Sequence, residues 1–427
     1  MFNRIRSTFS DSPRSFWTLI GASFIDRLGG ALIFPFLSLY ITNRFHVGLT
    51  EVGLLLGVWS ISGLAGSMVG GAMTDRFGRR FMLIFGLIFS AGTALLLGFA
   101  NDLDTFFWIM AFAGFLSDIG SPAQGAMVAD LLPEKQRSEG FGILRVATNL
   151  AVVFGPAIGG VLAGVSYLLL FIIDAVASLI TAAIVFIALL ETKPALSADN
   201  PDENLLKTLS GYMRVARDRL FVAFVAVSIT MIFVYTQMYS TLSVFLNIVH
   251  QVPPQGFGFL MSLNALMVVV MQFWITRRIK NFEPMLVLVA ATILYGIGYT
   301  MFGFVAVYPL FMLAMAIITI GEMLHVPVAQ SLAARFAPAD MRGRYMAVYG
   351  MSWAIPQIFG TLAAGLVMDN FNRNLIWFLA GGISLIAALG FLFLHFKARD
   401  RFRAASNENE SALDMDPEHF NPGGSKS

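Results

Sequence analysis

Twelve long runs of apolar residues, separated by short polar turns, make up most of the chain between residues 16 and 396. Each run is long enough for a helix to cross a bilayer, which takes about 20 apolar residues. The runs are continuous rather than alternating, which argues against transmembrane strands. The predicted spans are 16–42, 50–74, 81–100, 105–131, 138–164, 167–190, 220–249, 255–276, 284–305, 308–335, 343–368 and 374–396. The pattern therefore predicts an all-α integral membrane protein with twelve transmembrane helices.

Composition supports this prediction. Charged residues make up 13% of the 427 residues, whereas a soluble domain carries about a quarter. Lipid is therefore the expected solvent for most of the chain. The absence of cysteine excludes disulfides, thiolate metal sites and a cysteine nucleophile. Residues 1–14 are polar and basic without a cleavable signal pattern, so we expect the first span to remain as an anchor.

The distribution of lysine and arginine predicts the orientation, because cytoplasmic loops of membrane proteins are enriched in both. With the amino terminus inside, 24 of the 28 basic residues fall in inside segments. Arg44 and Arg373 lie in outside loops, and Arg27 and Arg145 lie within predicted spans. If the prediction had missed one helix, the basic residues would no longer separate between inside and outside loops. We therefore predict cytoplasmic termini and a multi-pass protein of the cell inner (cytoplasmic) membrane.

A polar loop at 191–219 divides the chain between spans six and seven. The predicted organisation is a cytoplasmic arm at 1–15, a six-helix bundle at 16–190, this central loop, a six-helix bundle at 220–397 and a tail at 398–427. The tail is basic at first, then acidic and rich in glycine and serine. Such a composition favours disorder.

The two bundles repeat in sequence at an offset of 205 residues. The matched pairs are Pro122 with Pro327, Pro133 with Pro338, Arg137 with Arg342, Gly155 with Gly360, Gly160 with Gly365, and Gly53 with Gly258. Two parallel six-helix repeats are typical of transporters, whose substrate site lies near the membrane midplane between the halves.

Two motifs resemble a known family. Gly71-x-x-x-Asp75-Arg76-x-Gly78-Arg79-Arg80, between spans two and three, resembles the signature loop of the major facilitator superfamily. Gly155-Pro156-x-x-Gly159-Gly160, in span five, resembles the motif of its antiporters, especially the twelve-span drug:proton exporters (multidrug efflux proteins). The stretches "ADLLPEKQR" (129–137) and "GEMLHVPVAQSLAARFAPADMRG" (321–343) are also similar to those exporters. The resemblance covers 14–397 and implies the major facilitator fold without specifying a substrate.

The resemblance implies a cytoplasmic gate at the loop between spans two and three. It places the ends of spans two and eleven side by side, so Asp75 would meet the positive end of a helix dipole. Gly71 would permit the close approach of the two helices, and Arg76 or Arg79 could pair with Asp130. The remaining predicted gate residues are Gly78, Arg80 and Arg137. The alternative is a basic loop that only obeys topology, although topology requires neither glycine nor aspartate at fixed spacing.

The span-five motif also allows two interpretations. Glycine and proline are common in membrane helices, so Gly155, Pro156, Gly159 and Gly160 could serve helix packing alone. The functional alternative is a kinked, flexible helix whose small face packs on the opposite half and limits leakage.

Five charged residues fall within predicted spans: Asp26, Arg27, Asp118, Arg145 and Glu322. A charge at the bilayer centre costs at least about 2.5 kcal/mol and marks a functional hypothesis. The resemblance places spans one, four, seven and ten around a central cavity, so three of these four helices carry a midplane acid. We predict that the three carboxylates couple transport to protons and that the two arginines are their ion-pair partners.

The three carboxylates are expected to differ in role. Glu322 is the strongest candidate, because its segment "GEMLHVP" offers no cation except a possible His325. Arg145 could hold Asp118, a pair that could equally be structural. Asp26 could likewise be structural, and Asp174 is expected to be an interfacial residue.

A predicted substrate cavity combines aromatic and amphipathic side chains. Its candidate residues are Trp59, Asn149, Tyr235, Gln237, Tyr239, His325, Gln330, Trp353 and Gln357. Aromatic faces and a few carboxylates suit lipophilic, often cationic compounds. For His325 the alternative is helix packing, and each aromatic could face lipid instead.

These features predict a secondary active transporter that exports hydrophobic, often cationic small molecules in exchange for protons by alternating access. A metabolite or lipid exporter, an uncoupled facilitator and a membrane scaffold are the alternatives. The sequence contains no P-loop, nucleophile elbow or histidine-rich cluster, so we expect no enzyme activity, cofactor or metal. The expected partners are a small-molecule substrate, protons and the lipid bilayer, without nucleic acid, for a protein acting as a monomer.

Overall fold

The computed structural model describes residues 13–192, 213–279, 281–338 and 341–414, except the side chains of residues 72, 75, 117, 134, 135, 138, 139, 342, 343 and 399–414. Within this part of the chain, twelve spans are long and apolar enough to cross a membrane and no strand occurs. In order, spans one to twelve are Arg14–Phe45, Leu49–Phe77, Arg79–Phe99, Leu103–Asp118 with Ser121–Leu131, Glu134–Ala163, Tyr167–Ala188, Arg219–His250, Pro254–Ile279, Pro284–Phe302, Tyr308–Phe336, Arg342–Asn370 and Leu375–Asp414. The predicted all-α, twelve-span bundle is confirmed.

Span four is two helices rather than the continuous helix that the sequence predicted. The first helix ends at Asp118, and the second begins at Ser121 with Pro122 in its first turn. Proline favours this position because a helix start leaves its first N–H groups unpaired. The break therefore places Asp118 at a helix end inside the span.

Span twelve continues as a helix to Asp414, which includes residues 398–414 of the segment for which the sequence predicts a disordered tail. The polar continuation "KARDRFRAASNENESALD" is rich in alanine, arginine and glutamate, which favour helix. Extending an existing helix avoids the unfavourable nucleation step. Residues 415–427 and most of the predicted central loop lie outside the described residues.

The two halves meet mainly through three pairs of helices: span one with seven, two with eleven, and five with eight. The second and third pairs are equivalent under the sequence repeat. Where span two meets span eleven, a Cβ on Gly53 would overlap the backbone of Leu362. At the other, a Cβ on the repeat-related Gly258 would lie 2.7 Å from the Pro156 carbonyl oxygen. The repeated glycines thus occupy equivalent contacts between the halves.

The apolar cores show which end of the bundle is closed. We call the end where span one begins the inner end, following the predicted orientation, and the opposite end the outer end. One core at the outer end joins residues of both halves, such as Phe36 and Phe257, whose ring centroids are 5.5 Å apart. At the inner end, each half packs a core of its own, one around Phe16 and Met127, the other around Phe224. The halves therefore share one core at the outer end, whereas at the inner end each half has a core of its own.

Candidate functional site

Glu322 lies in the middle of span ten and is held by side chains of two neighbouring spans. The Tyr235 hydroxyl of span seven donates to Glu322 Oε1 at 2.9 Å. The Asn264 amide of span eight donates to Glu322 Oε2 at 2.8 Å. Both carboxyl oxygens thus have hydrogen-bond donors, and no arginine or lysine among the described side chains pairs with them. This is a carboxyl inside the membrane whose described partners are neutral.

Aromatic rings surround this carboxyl. The Tyr235 ring lies edge-on to three others, with centroid distances of 5.6 Å to Trp353, 5.7 Å to Tyr239 and 6.1 Å to Tyr295. Tyr235 is buried, whereas Tyr239 and Trp353 keep partial exposure. The arrangement offers apolar surface and ring faces beside one carboxyl group, a combination that can hold an organic cation.

Sequence reasoning missed Asn264, which is buried on span eight. The available signal was its amide in the otherwise apolar run "FLMSLNALMVVV" (259–270), where only Ser262 is also polar. An amide in such a run needs a hydrogen-bond partner in the protein, because lipid provides none. That requirement alone does not identify Glu322 as the partner.

Asp26 faces span six. Ser178 Oγ donates to Asp26 Oδ1 at 2.8 Å. Asp174, also on span six, packs against span one, with Oδ1 at 2.8 Å from the position of a Cβ on Gly29. Gly29 thus leaves room for the Asp174 side chain between the two helices, at a residue for which the sequence predicts an interfacial position.

Arg145 pairs differently from the sequence prediction. Within the described residues it donates from Nη1 to Gln330 Oε1 at 3.2 Å rather than to Asp118. Arg145 and Gln330 belong to spans five and ten, so this bond crosses between the halves. Asp118 instead lies beside Gly63 of span two and within range of the Arg27 charge. Asp118 therefore faces span two rather than span five, which sequence spacing could not reveal.

The loop between spans two and three forms a network within the amino-terminal half. Gly78 ends span two with φ +99°, a backbone conformation that favours glycine. Arg79 Nε lies 3.1 Å from Asp130 Oδ2, so of the two arginines considered for Asp130 it is Arg79 that makes the pair. Arg80 lies over the Phe186 ring at 5.0 Å and donates to the Phe186 carbonyl oxygen.

Glu191, at the end of span six, is a member of this network that sequence reasoning missed. Its carboxyl accepts from the backbone N–H groups of Arg79 at 2.8 Å and Arg80 at 3.2 Å. A carboxylate at a helix start satisfies unpaired donors and the positive end of the dipole. The link between span six and span three depends on the tertiary fold, because 112 residues separate Glu191 from Arg79.

The remaining gate residues lie near this network. Arg137 donates to the Ala129 carbonyl oxygen at 2.9 Å, and the Arg76 guanidinium lies 5.4 Å from the Phe77 ring centroid. The Asp75 side chain lies outside the described part of the structure. Around Gly71, a Cβ would meet no atom within 4 Å. The space at Gly71 agrees with an inner end at which spans two and eleven are apart.

The span-five motif packs on both halves. A Cβ on Gly155 would overlap Ala31 of span one, and a Cβ on Gly159 would overlap the Leu32 carbonyl oxygen. Gly160 instead faces the other half, where a Cβ would lie 3.0 Å from the Gly258 Cα atom. Pro156 lies inside the helix. The motif therefore serves helix packing and also one contact between the halves.

Two predicted cavity residues are packed within the carboxyl-terminal half instead. Gln237 is buried, donates to the Gly360 carbonyl oxygen at 3.2 Å and accepts from Thr241 at 2.6 Å. His325 is also buried, and its ring lies 6.0 Å from both Tyr295 and Phe391. Gln237 is therefore not a cavity residue, and for His325 the structure agrees with the alternative of helix packing, because both side chains leave their helices on the faces that meet neighbouring spans.

Apart from Tyr235, the other predicted cavity residues keep exposed surface. Asn149, Gln330 and Gln357 are exposed. Trp59 is half-buried, with its ring 6.0 Å from Phe34 of span one.

A contact that the sequence did not suggest closes the outer end. Asp369, at the end of span eleven, accepts from the backbone N–H groups of Leu49 at 3.1 Å and Thr50 at 2.7 Å. The Thr50 hydroxyl adds a third bond at 2.6 Å. Asp369 therefore caps the start of span two across the two halves, which stabilises the closed outer end.

Replacing Asp369 by alanine should favour opening of the outer end. Losing a cap costs about 1 kcal/mol, roughly a fivefold change in the ratio of the two states. The chain lacks cysteine, so spin labels at Asp104→Cys and Val307→Cys, exposed outer-end sites on opposite halves, would report the distance without background labelling. Asn370→Ala is the matched control, because among the described residues the Asn370 side chain bonds to the Leu366 carbonyl of its own helix and to no residue of the other half. An unchanged distance distribution in Asp369→Ala would contradict this role.

A twelve-helix bundle with two repeats, closed at one end around a membrane-embedded carboxyl, defines a membrane transporter. A sequence profile of the Major Facilitator Superfamily matches residues 19–361 and 239–419. The chain belongs to this superfamily.

Two relatives illustrate the range of named activities. A Na(+), Li(+), K(+)/H(+) antiporter of Planococcus maritimus is 27% identical over 400 residues, covering 85% of this chain and 91% of the relative. Multidrug resistance protein 2 of Bacillus subtilis (strain 168) is 25% identical over 414 residues, covering 94% and 100%. The chain is thus similar over nearly its whole length to proteins named for cation exchange and for drug resistance.

Solved structures support the fold. A POT family transporter in complex with 5-aminolevulinic acid matches with a TM-score of 0.73 at 16% identity, over 90% of this chain and 96% of that one. The nucleoside transporter NupG matches with a TM-score of 0.73 at 12% identity, over 90% and 99%. At these identities the likeness concerns the fold alone.

Proposed function

We propose that this transporter exports hydrophobic, often cationic small molecules in exchange for protons by alternating access. The observation that carries the proposal is Glu322, a carboxyl inside the membrane whose described partners are neutral. A carboxylate placed there requires a proton or a cation to offset its charge. Proton and cationic compound would therefore compete for the same group, which is the requirement for exchange.

The surroundings of Glu322 suit this exchange. With the carboxyl ionised, a lipophilic cation gains charge attraction and contact with the faces of Tyr239 and Trp353. With the carboxyl protonated, only the apolar contact remains and the compound leaves. Because the inner end is open, the ionised site would load from the cytoplasmic side. Once the outer end has opened, protons arriving from outside would neutralise the Glu322 carboxylate and so release the compound.

The gate residues support the second half of the cycle. When the inner end closes, Gly71 would let span two approach span eleven, and Asp75 would meet the start of that helix. The Arg79–Asp130 pair and Glu191 would hold the loop in position. Asp26 and Asp118 are further proton-coupling candidates on spans one and four. We place the protein in the cytoplasmic membrane as a monomer with both termini inside.

A second candidate function is exchange of alkali cations for protons, favoured by the antiporter of Planococcus maritimus. Asp26 and Asp174 are the carboxylates with which a small cation could bind in the amino-terminal half. Among the described residues, no group of three or more histidine, cysteine or acidic side chains could hold a metal ion.

The deciding experiment uses the whole protein in proteoliposomes with an imposed pH gradient. We expect ethidium movement that depends on the gradient, together with proton movement in the opposite direction. Transport that survives full collapse of the pH gradient and membrane potential would overturn the exchange proposal. Proton movement driven by Na⁺ or K⁺, without ethidium movement, would establish the second candidate instead.

A further inference from the structure

Two tyrosine hydroxyls continue the hydrogen bonding of Glu322 along span seven. The Tyr235 hydroxyl donates to Glu322 Oε1 at 2.9 Å and lies 3.2 Å from the Tyr239 hydroxyl. Either hydroxyl can be the donor in the second bond. The three groups therefore form a chain whose direction can reverse.

Asn264 determines which oxygen of Glu322 can carry a proton. Its amide donates to Glu322 Oε2 at 2.8 Å and to Thr319 Oγ1 at 3.0 Å. The Thr319 hydrogen is used by the Met315 carbonyl oxygen at 2.7 Å, so Thr319 accepts from Asn264. An amide nitrogen donates and cannot accept. A proton on Glu322 is therefore favoured on Oε1, the oxygen that faces Tyr235, because on Oε2 it would compete with the bond from Asn264.

The direction of the chain then depends on the charge of Glu322. When Glu322 is ionised, Tyr235 donates to Oε1 and accepts from Tyr239, so Tyr239 presents only oxygen lone pairs. When a proton from water bonds to Oε1, that O–H donates to Tyr235. Tyr235 then donates to Tyr239, whose own hydrogen turns away from the chain. One O–H bond forms on Glu322 as one O–H bond of a hydronium ion breaks and leaves water, and the two tyrosine hydroxyls only rotate.

Other titratable groups near Glu322 do not interrupt this chain. Tyr295 and Tyr299 face it from span nine. The Tyr299 hydroxyl donates to the Tyr235 backbone carbonyl at 3.2 Å, outside the chain. His325 packs between spans nine and twelve. Tyr239 keeps partial exposure, whereas Tyr235 is buried, so the chain ends at Tyr239.

We propose that Tyr239 is a specificity-determining residue. Its hydroxyl offers the bound compound a hydrogen-bond acceptor when Glu322 is ionised and a hydrogen-bond donor when Glu322 is protonated. The favoured substrates are protonated amines, whose N–H group donates to Tyr239 when Glu322 is ionised. After protonation, Tyr239 presents its hydrogen to the same N–H group and the compound is released. Quaternary cations have no N–H and respond only to charge and ring contact. This inference rests on the proposed exchange of cations for protons.

The test compares Tyr239→Phe with Tyr299→Phe, which loses a tyrosine hydroxyl outside the chain. Two probes are bound to purified protein across pH: a lipophilic tertiary amine that stays protonated throughout, and tetraphenylphosphonium. In Tyr239→Phe we expect the amine Kd to rise about tenfold, as for a lost hydrogen bond to a charged group, and its pH dependence to weaken. The Kd of tetraphenylphosphonium should not change, and Tyr299→Phe should affect neither probe.

Equal effects of Tyr239→Phe on both probes, or no effect on the amine, would overturn the inference. A measurement on the unaltered protein remains decisive if the variant does not fold. The amine should then show a steeper pH dependence than its N-methylated quaternary form, and equal slopes would contradict the role of Tyr239. Failure of the proposed function is distinguishable, because the unaltered protein would then show no proton-coupled movement of either probe.

Discussion

Replacing Glu322 by glutamine is expected to reduce gradient-driven transport to the level of empty liposomes, while exchange of substrate for substrate continues. The amide is neutral at every pH, so it can neither bind nor release the proton that couples the two fluxes. Glutamine keeps the shape and can still accept from Tyr235. The amide nitrogen of the glutamine would take the place of Glu322 Oε2 and cannot accept from Asn264. Loss of this hydrogen bond costs about 1 kcal/mol.

The measurement is ethidium flux in proteoliposomes, with and without a pH gradient. Glu283→Gln is the matched control, because Glu283 is exposed at the start of span nine and makes no capping bond. If Glu322→Gln keeps gradient-driven flux, the central residue of the mechanism is wrong. The superfamily assignment would be unaffected.

Replacing Gly53 by leucine is expected to stop transport by preventing closure of the outer end. Even a Cβ at this position would overlap the backbone of Leu362, so spans two and eleven would have to separate. Close helix approach through small residues is a main source of packing in membranes, where lipid removes most of the hydrophobic driving force. The protein should then accumulate with its outer end open.

Spin-label distances between the outer ends of the halves, together with flux, would test this expectation. Gly92→Leu is the control, because a Cβ on Gly92 would meet no atom within 4 Å and the residue lines an apolar groove on spans three and four. Normal flux with unchanged distances in Gly53→Leu would show that this contact is not needed for turnover.

The sequence predicted the spans well because a lipid solvent imposes a simple rule. Every backbone polar group must be satisfied within its own segment, which leaves helices of about 20 apolar residues. The break in span four, at Gly120 and Pro122, was missed because glycine and proline are also common within continuous membrane helices. The helical tail was missed because its charged composition suits both a disordered chain and a helix extended from span twelve.

The candidate site was predicted only in part. A single carboxylate in an apolar run is conspicuous, so Glu322 was found from sequence. The orientation of a polar side chain around its helix was not predictable, because the lipid-facing and protein-facing sides of a membrane helix are both apolar. For this reason Gln237 and His325 were assigned to the cavity, although both pack between helices.

The sequence by itself determined the number of spans, the repeat and the membrane-embedded charges, since each follows from the cost of placing polar groups in lipid. Only the tertiary structure decided the partners. It brought Asn264 and Tyr235 to Glu322, Gln330 to Arg145, Glu191 to the start of span three, and Asp369 to the start of span two. These contacts join residues far apart in the chain and depend on helix rotation and on which end of the bundle is closed. Neither property can be predicted from the spacing of apolar residues along a membrane helix.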